Sequence, residues 1–312
     1  MLPRRTLLAA TTAAMVSTPA RSGSTLNVSY VRQPFNLPQI VMRHHRLLER
    51  RLQPLGTELV WHDITSGVLQ AQALAAGWLD IGGVMNPTSV ILALANGNPM
   101  RIVGAFARNF RLAAILATDP AITRIADLKG RSVAGLKGAV PHQLLIAALQ
   151  SAGLGIADVT FLDMDLPAGF ASLLSGRVNA AVLVADLILK AQRAGAHEIP
   201  TPPGLLEPVT LICARTGFVQ QRPDLVRLYQ AAHREAVAVV AADPEAAIRL
   251  GCTTNGIDLA DGHTLFSWQA FEADLTEADL ASLERDMAFL IAAKLCPRAV
   301  DLRAAMVEAP TP

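Results

Sequence analysis

The stretch DLKGRSVAGLKGAVPHQLLIAAL, residues 127–149, decides the fold. It predicts a short strand over 132–135, a glycine loop that ends at Gly138, and an amphipathic helix over 141–152. A glycine loop that leads into a helix leaves the first backbone N–H groups of the helix unpaired, so it can hold an anion or another polar ligand. Val140 and His142 are the expected backbone donors, because Pro141 has no N–H.

Strands and helices alternate on both sides of this stretch. Strands are predicted over 25–31, 56–62, 80–84, 101–107, 113–118, 159–162, 180–184 and 211–214, and helices dominate after residue 214. This alternation predicts an α/β protein built from βαβ units with parallel or mixed sheets. The chain exceeds the size of one comfortable core. We therefore expect a first lobe over 21–112 and 211–312, and a second lobe inserted over 113–210.

The N-terminus has the composition of an export signal. Arg4 and Arg5 precede an uncharged run over 6–16, and small residues follow up to Ala20. This pattern predicts a removable signal peptide over 1–20, although a buried N-terminal helix is the alternative. The paired arginines fit the general secretory route and the twin-arginine route, and the sequence does not separate them.

Charge and cysteine content exclude some classes of partner. The full chain has 27 basic and 26 acidic residues, and removal of the two signal arginines leaves 25 against 26, a net charge of −1. Such a balance gives no reason to expect nucleic acid or an anionic membrane surface as a partner. Cys213 lies in an apolar run and is expected in the core, whereas Cys252 and Cys296 either form a disulfide or remain free.

Four pieces of the sequence, in order, resemble the periplasmic substrate-binding proteins of ABC importers for nitrate, sulfonates and taurine. They are YVRQPFNLP at 30–38, TSGVLQAQALAAGWLDIGGVMNPTS at 65–89, the stretch quoted above, and LLSGRVNAAVLVADLILKA at 173–191. The resemblance implies a type II periplasmic binding protein, whose two α/β lobes are joined by two crossovers and close on a ligand in the cleft between them. It further implies a periplasmic monomer that binds a small polar or anionic organic molecule and delivers it to a membrane permease and its ATPase. No cofactor or metal is implied.

Polar residues follow most of the predicted strands, where ligands bind in open α/β sheets. The expected ligand-binding residues of the first lobe are Gln33, Asn36, Thr65, Ser66, Gly67, Asn86, Pro87, Arg108 and Asn109. Those of the second lobe are Gly138, Val140, His142 and Asp186. The resembling family usually has a hydroxyl residue beside that glycine, and this chain has Ala139 and Val140 instead. We therefore expect the second lobe to offer mainly backbone donors, and the first lobe to set selectivity.

Several of these residues have an alternative role. Ser66 and Asn86 precede helices and can cap them. Asp186 can contact an ammonium group or cap the helix after it, and His142 can line the cleft or pack between the lobes. Arg108 can bind a sulfonate or carboxylate through two hydrogen bonds, or it can be a solvated hinge residue.

A catalytic function is not expected. The sequence has no GxSxG, HExxH or CxxC motif. The resembling fold also hosts a sulfinate desulfinase that uses a cleft cysteine and a pyrimidine synthase with a cysteine-rich motif, but every cysteine of this chain lies beyond residue 212. An enzyme on this scaffold and a sensor that signals without transport remain the two alternatives.

Overall fold

The computed structural model describes residues 24–31, 35–111, 113–202, 204–206 and 208–307. The expected signal peptide and Gln33 therefore lie outside the described residues. The strands are β1 (Thr25–Tyr30), β2 (Glu58–Asp63), β3 (Ile81–Met85), β4 (Met100–Asn109), β5 (Ala113–Ala117), β6 (Ser132–Gly135), β7 (Thr160–Asp163), β8 (Ala180–Val184), β9 (His197–Glu198), β10 (Val209–Arg215) and β11 (Gln269–Phe271).

Helices connect these strands and form most of the C-terminal third. They are α1 (Leu37–His44), α2 (Leu47–Leu52), α3 (Gly67–Ala75), α4 (Pro87–Ala95), α5 (Val140–Ser151), α6 (Leu166–Leu174), α7 (Asp186–Arg193), α8 (Thr216–Gln221), α9 (Pro223–Ala242), α10 (Pro244–Asn255), α11 (Leu259–Ser267), α12 (Glu277–Ala292) and α13 (Leu302–Ala305). In the described part of the chain, no helix combines the length and the apolar composition needed to cross a membrane.

The strands form two sheets whose strand orders correspond when they are read from opposite ends: β2-β1-β3-β10 of the first sheet matches β7-β6-β8-β5 of the second. The first sheet runs β11-β4-β10-β3-β1-β2, and the second runs β7-β6-β8-β5-β9. In each sheet three adjacent strands are parallel, β2-β1-β3 in the first and β7-β6-β8 in the second. The strand that follows a crossover, β10 or β5, lies antiparallel to its neighbours. This is the predicted two-lobed type II periplasmic binding protein fold, with two crossovers between the lobes.

The second crossover ends slightly earlier than the sequence predicts. Val209 and Thr210, which we expected in the inserted lobe, pair with Arg108 and Ala107 in the first-lobe sheet. The polar Thr210 interrupts the apolar pattern of the strand, so the pattern alone placed the strand start too late. Its buried hydroxyl donates a hydrogen bond to the carbonyl of Ala107 at 3.1 Å, which compensates for its burial.

Each sheet is covered by apolar side chains on both faces, so each lobe has its own core. Cys252 belongs to the core on one face of the first-lobe sheet, and Cys296 belongs to the core on the other face. Both are free thiols, so the disulfide that the sequence left open is not formed. Cys213 is fully buried in the core, as expected.

Chain segments before and after the inserted lobe complete the first lobe together. The C-terminal segment returns to β4, where the N–H of Val307 donates to the carbonyl of Ile102 at 2.8 Å. The Arg101 guanidinium donates to the carbonyl of Met306 at 3.0 Å. The last described residues therefore hold a strand that lies next to the crossovers.

Candidate ligand-binding site

The candidate site begins where β2 and β3 end, because each strand leads directly into a helix. Ser66 precedes α3 and its hydroxyl accepts a hydrogen bond from the N–H of Leu69 at 3.4 Å. Asn86 precedes α4 and its side-chain oxygen accepts from the N–H of Ser89 at 2.8 Å. Both side chains therefore cap their helices. The remaining N–H groups of the first turn of α3 have no intrahelical partner, as at every helix start.

The starts of α3 and α4 lie against each other, and Gly67 makes this approach possible. A Cβ atom at Gly67 would lie 2.8 Å from Nδ2 of Asn86 and 2.9 Å from Oγ of Ser89, closer than such atoms approach. The Ser89 hydroxyl is buried beside Gly67 and has no hydrogen-bond partner among the described residues. Thr65 is exposed next to this pair of helix starts. The positive ends of two helix dipoles are thus brought together.

A buried polar network fixes the strand ends below these helix starts. The Ser29 hydroxyl donates to the side-chain oxygen of Gln70 at 2.8 Å and accepts from the N–H of Gly83 at 2.8 Å. The Gln70 amide donates to the carbonyl of Val84 at 2.9 Å. Because β1, α3 and β3 share these hydrogen bonds, the loops after β2 and β3 are held in a defined position.

The loop after β1 has a structural role in its described part. The side-chain amide of Asn36 is buried and donates to the carbonyl of Val31 at 2.8 Å. The Gln39 side chain accepts from the N–H of Val31 at 2.8 Å and donates to the carbonyl of Ser29 at 2.6 Å. These bonds shape the end of β1.

In the second lobe, α5 begins at Val140 and has no side-chain cap. Nδ1 of His142 accepts the N–H of Gly138 at 3.3 Å, and the ring stacks on Phe161 at a centroid distance of 4.6 Å. Burial lowers the pKa of His142, and the nearby Lys137 lowers it further. The neutral ring thus packs on its own lobe and supports the glycine loop.

The glycine loop faces the first lobe across a cavity of about 580 Å³. Lys137 and Gly138 line it from the second lobe, while Val68, Ser89 and other residues of α3 and α4 line it from the first. The first turns of α3 and α4 reach this cavity through Val68 and Ser89, whereas Gly67 and Asn86 do not line it. Neither Lys137 nor Ser89 is among the ligand-binding residues predicted from the sequence. The lysine sits in the quoted glycine loop and could have been selected there by its charge.

The segment after β8 contains a strained residue that the sequence does not reveal. Ala185 has φ 46° and ψ −122°, a left-handed conformation that side chains other than glycine rarely adopt. Strain of this kind costs about 1–3 kcal/mol and often marks a functional position. Asp186 follows as the first residue of α7, and its carboxylate accepts a hydrogen bond from Nζ of Lys190 at 2.7 Å. The Asp186 charge is therefore already compensated, and its side chain does not cap α7.

Arg108 and Asn109 belong to the hinge. The Arg108 guanidinium donates two hydrogen bonds to Asp279, at 2.8 and 2.6 Å, and lies 3.3 Å from Glu272. The Arg108 charge is therefore paired with the carboxylates of Asp279 and Glu272. Asn109 joins the two crossovers, because its backbone and side-chain N–H groups both donate to the carbonyl of Pro208 at 3.1 Å. Both residues line a second interlobe cavity together with Gln143, and neither lines the cavity beside Gly138 and Ser89.

A second polar arrangement, missed entirely by the sequence analysis, joins the lobes beside this site. Gln143 of the second lobe hydrogen bonds to Thr88 and to Asp286, which both belong to the first lobe. Nothing in the sequence pattern relates a helix-interior glutamine to an aspartate more than 140 residues later. In the part of the chain that the structure describes, no three His, Cys, Asp or Glu residues are grouped to hold a metal ion.

Comparison with known proteins supports these observations. Residues 65–247 match a family described as NMT1/THI5 like. The chain is 25% identical over 289 residues to the putative aliphatic sulfonates-binding protein of Escherichia coli, and the match covers 90% of this chain and 88% of that protein.

Solved structures of two kinds share the fold. The alkanesulfonate-binding protein SsuA of Xanthomonas axonopodis, bound to MOPS, superimposes with a TM-score of 0.80 at 21% identity and covers 92% of this chain and 99% of its own. The desulfurization enzyme DszB superimposes with a TM-score of 0.67 at 19% identity and covers 91% of this chain and 96% of its own. The fold alone therefore does not separate binding from catalysis.

Proposed function

The chain belongs to the NMT1/THI5-like family, and we propose that it is the periplasmic solute-binding component of an ABC importer. It binds a small organic anion of the sulfonate class between its lobes and delivers it, as a monomer, to a membrane permease that works with an ATPase. The similarity along 90% of the chain to a putative aliphatic sulfonates-binding protein supports this assignment.

The observation that carries the proposal is the pair of abutting helix starts, whose first turns reach the interlobe cavity through Val68 and Ser89. Unpaired N–H groups and the positive ends of α3 and α4 favour an anion there without requiring a buried counter-charge. The buried Ser89 hydroxyl is an additional donor that lacks a partner among the described residues. Lys137, exposed on the rim of the same cavity, adds positive charge from the second lobe. A sulfonate has one charge and three acceptor oxygens, which suits several donors from both lobes.

The enzyme alternative that uses a cleft cysteine lacks its nucleophile at this site. The three cysteines are buried, and none of them lines the cavity between Gly138 and Ser89. Burial raises the pKa of the Cys213 thiol, and burial together with nearby carboxylates raises that of Cys252. Thiols with raised pKa values are poor nucleophiles. These properties support a protein that binds its ligand without changing it.

Calorimetry on the purified protein without residues 1–20 tests this proposal. Ethanesulfonate, butanesulfonate and taurine are compared with nitrate, acetate and a pyrimidine. We expect a sulfonate to bind tightly, and a sulfonate at 100 times its dissociation constant to stabilise the protein by about 2.7 kcal/mol. Failure of every sulfonate to bind would refute the ligand class. Release of sulfite from a bound sulfonate would instead establish an enzyme.

A further inference from the structure

We infer that Gln143 is a positioning residue that latches the two lobes together in the closed state, between Thr88 on one side and Asp286 on the other. The inference deepens the proposed function and rests on it, because closure matters for a protein that clamps its ligand between the lobes. Gln143 does not line the cavity beside Gly138 and Ser89, and it contacts the start of α4 only through the Thr88 hydroxyl, so its effect on the ligand is exerted through the lobes.

The geometry of the latch is defined by two hydrogen bonds. Thr88 Oγ1 donates to Oε1 of Gln143 at 2.7 Å, and Nε2 of Gln143 donates to Oδ1 of Asp286 at 2.9 Å. Thr88 is 1% exposed, Gln143 is 2% exposed and Asp286 is 9% exposed. Gln143 lies on α5 of the second lobe, whereas α4 and α12, which carry its partners, pack against each other in the first lobe.

These bonds favour the closed arrangement because separation of the lobes would break both of them, and each contributes about 0.5–1.5 kcal/mol after exchange with water is counted. Thr88 is in the first turn of α4, next to Ser89 and the cavity, so the latch and the proposed anion site share one helix. A ligand that binds only the closed form has an apparent dissociation constant that is inversely proportional to the closed fraction. Loss of the latch should therefore weaken binding although no ligand contact is removed.

The charge of Asp286 couples the latch to pH. The carboxylate borders an interlobe cavity of about 480 Å³, whose other charged residues are Arg285 on the same helix and the paired Arg108 and Asp279. The lining residues from α5 and from 204–206 carry no charge. Burial raises the pKa of Asp286 to about 6, against the opposing effects of the Gln143 hydrogen bond and Arg285.

The sign of this coupling follows from the two states. A hydrated Asp286 in an open form would have an ordinary pKa of about 3.9. Between about pH 4 and pH 6, Asp286 is therefore protonated in the closed form and ionised in the open form. Acidification consequently favours closure. From these pKa values, the equilibrium constant for closure increases about tenfold when the pH is lowered from 7 to 5. The affinity for a sulfonate increases by the same factor. A sulfonate does not titrate in this range.

Two variants and a matched control test the latch. Asp286→Asn keeps the acceptor for Gln143 but has no charge in either state, so it corresponds to a wild type protonated in both states. Ethanesulfonate should therefore bind it at pH 7 about a hundredfold more tightly than it binds the wild type at pH 7, and more tightly than the wild type at pH 5, without further pH dependence. Gln143→Leu removes both hydrogen bonds and should weaken binding about tenfold or more. Gln150→Leu, an exposed position on the same helix, should leave the affinity and its pH profile unchanged.

Lobe closure is measured directly with spin labels at Ala76→Cys of the first lobe and Ala168→Cys of the second, both exposed positions. Pulsed electron paramagnetic resonance should show a larger closed fraction at pH 5 than at pH 7 in the ligand-free protein, and a smaller one in Gln143→Leu. Equal closed fractions in wild type and Gln143→Leu, with both folded by circular dichroism, would overturn the inference. If no sulfonate binds, the proposed function fails, while the ligand-free distances still decide whether the latch exists.

Discussion

Replacement of Arg108 by alanine distinguishes a hinge residue from an anion clamp. Arg108 is 26% exposed, and the Asp279 carboxylate that it contacts is 6% exposed. Removal of one partner of a buried ion pair typically costs 3–5 kcal/mol, because a charge remains buried without its counterpart. Asp279 keeps hydrogen bonds from the N–H and hydroxyl of Thr276, both at 2.7 Å, so we expect the low end, about 3 kcal/mol.

Thermal unfolding and calorimetry give the two readouts. For a chain of this length, about 3 kcal/mol corresponds to a decrease in Tm of about 5 °C. Arg124→Ala, which removes an arginine that is 78% exposed, is the matched control and should leave Tm almost unchanged. The affinity for ethanesulfonate, measured below the Tm of the variant, should change little if Arg108 acts only in the hinge.

A double-mutant cycle identifies the partner. Asp279→Asn keeps the capping of α12 but removes the charge, so Arg108→Ala should cost much less in that background than in the wild type. Equal costs in both backgrounds would show that the ion pair is not the source of the effect. Loss of sulfonate binding without a change in Tm would refute the structural role and return Arg108 to the ligand site.

Three further outcomes are expected. Gly67→Ala should destabilise the protein by about 1–3 kcal/mol and weaken sulfonate binding, because the starts of α3 and α4 must move apart. In the control Gly169→Ala the new Cβ meets only ordinary contacts, so this variant should be more stable by about 0.5–1 kcal/mol. Chemical denaturation measures the stability of both variants, and calorimetry measures their affinity for the sulfonate. All three cysteines should react with a thiol reagent only after unfolding, and a reductant should not change Tm, since no disulfide is present. Burial lowers the pKa of His233 to about 4, so as the pH falls the unfolded chain binds a proton at this residue before the folded protein does. Between pH 7 and pH 5 this difference destabilises the wild type by about 2 kcal/mol. His233→Gln should not show this part of the pH dependence in urea titrations.

Much of the fold was predictable from the sequence because its signals are local. Glycine loops, capping residues and runs of apolar residues mark the strand ends before α3, α4 and α5, and the alternation of these elements predicts the three parallel strands of each sheet. The start of β10 was placed two residues late, because a buried threonine satisfied by a distant carbonyl looks like a surface residue in the sequence.

The side-chain roles were less predictable because they depend on partners far away in the chain. Arg108 was predicted from its position either as an anion ligand or as a solvated hinge residue, and its ion pair with Asp279, 171 residues later, has no signal in the sequence. Asp186 appeared available for an ammonium group, although it pairs with Lys190 one turn away. Gln143 was overlooked because a glutamine inside an amphipathic helix has no distinctive pattern until α12 is placed beside it.

The return of the C-terminal segment to β4 has a consequence for the order in which the chain acquires structure. Strands β5 to β9 belong to one continuous segment, so the second lobe has all of its sheet as soon as residue 198 is available. The first sheet needs β10, β11 and finally Val307, all of which come after that segment. Because the most distant contacts in sequence form slowly, the first lobe should be completed last. The inserted lobe can therefore form its sheet while the first lobe is still open, and the first lobe closes its sheet only when residue 307 is available.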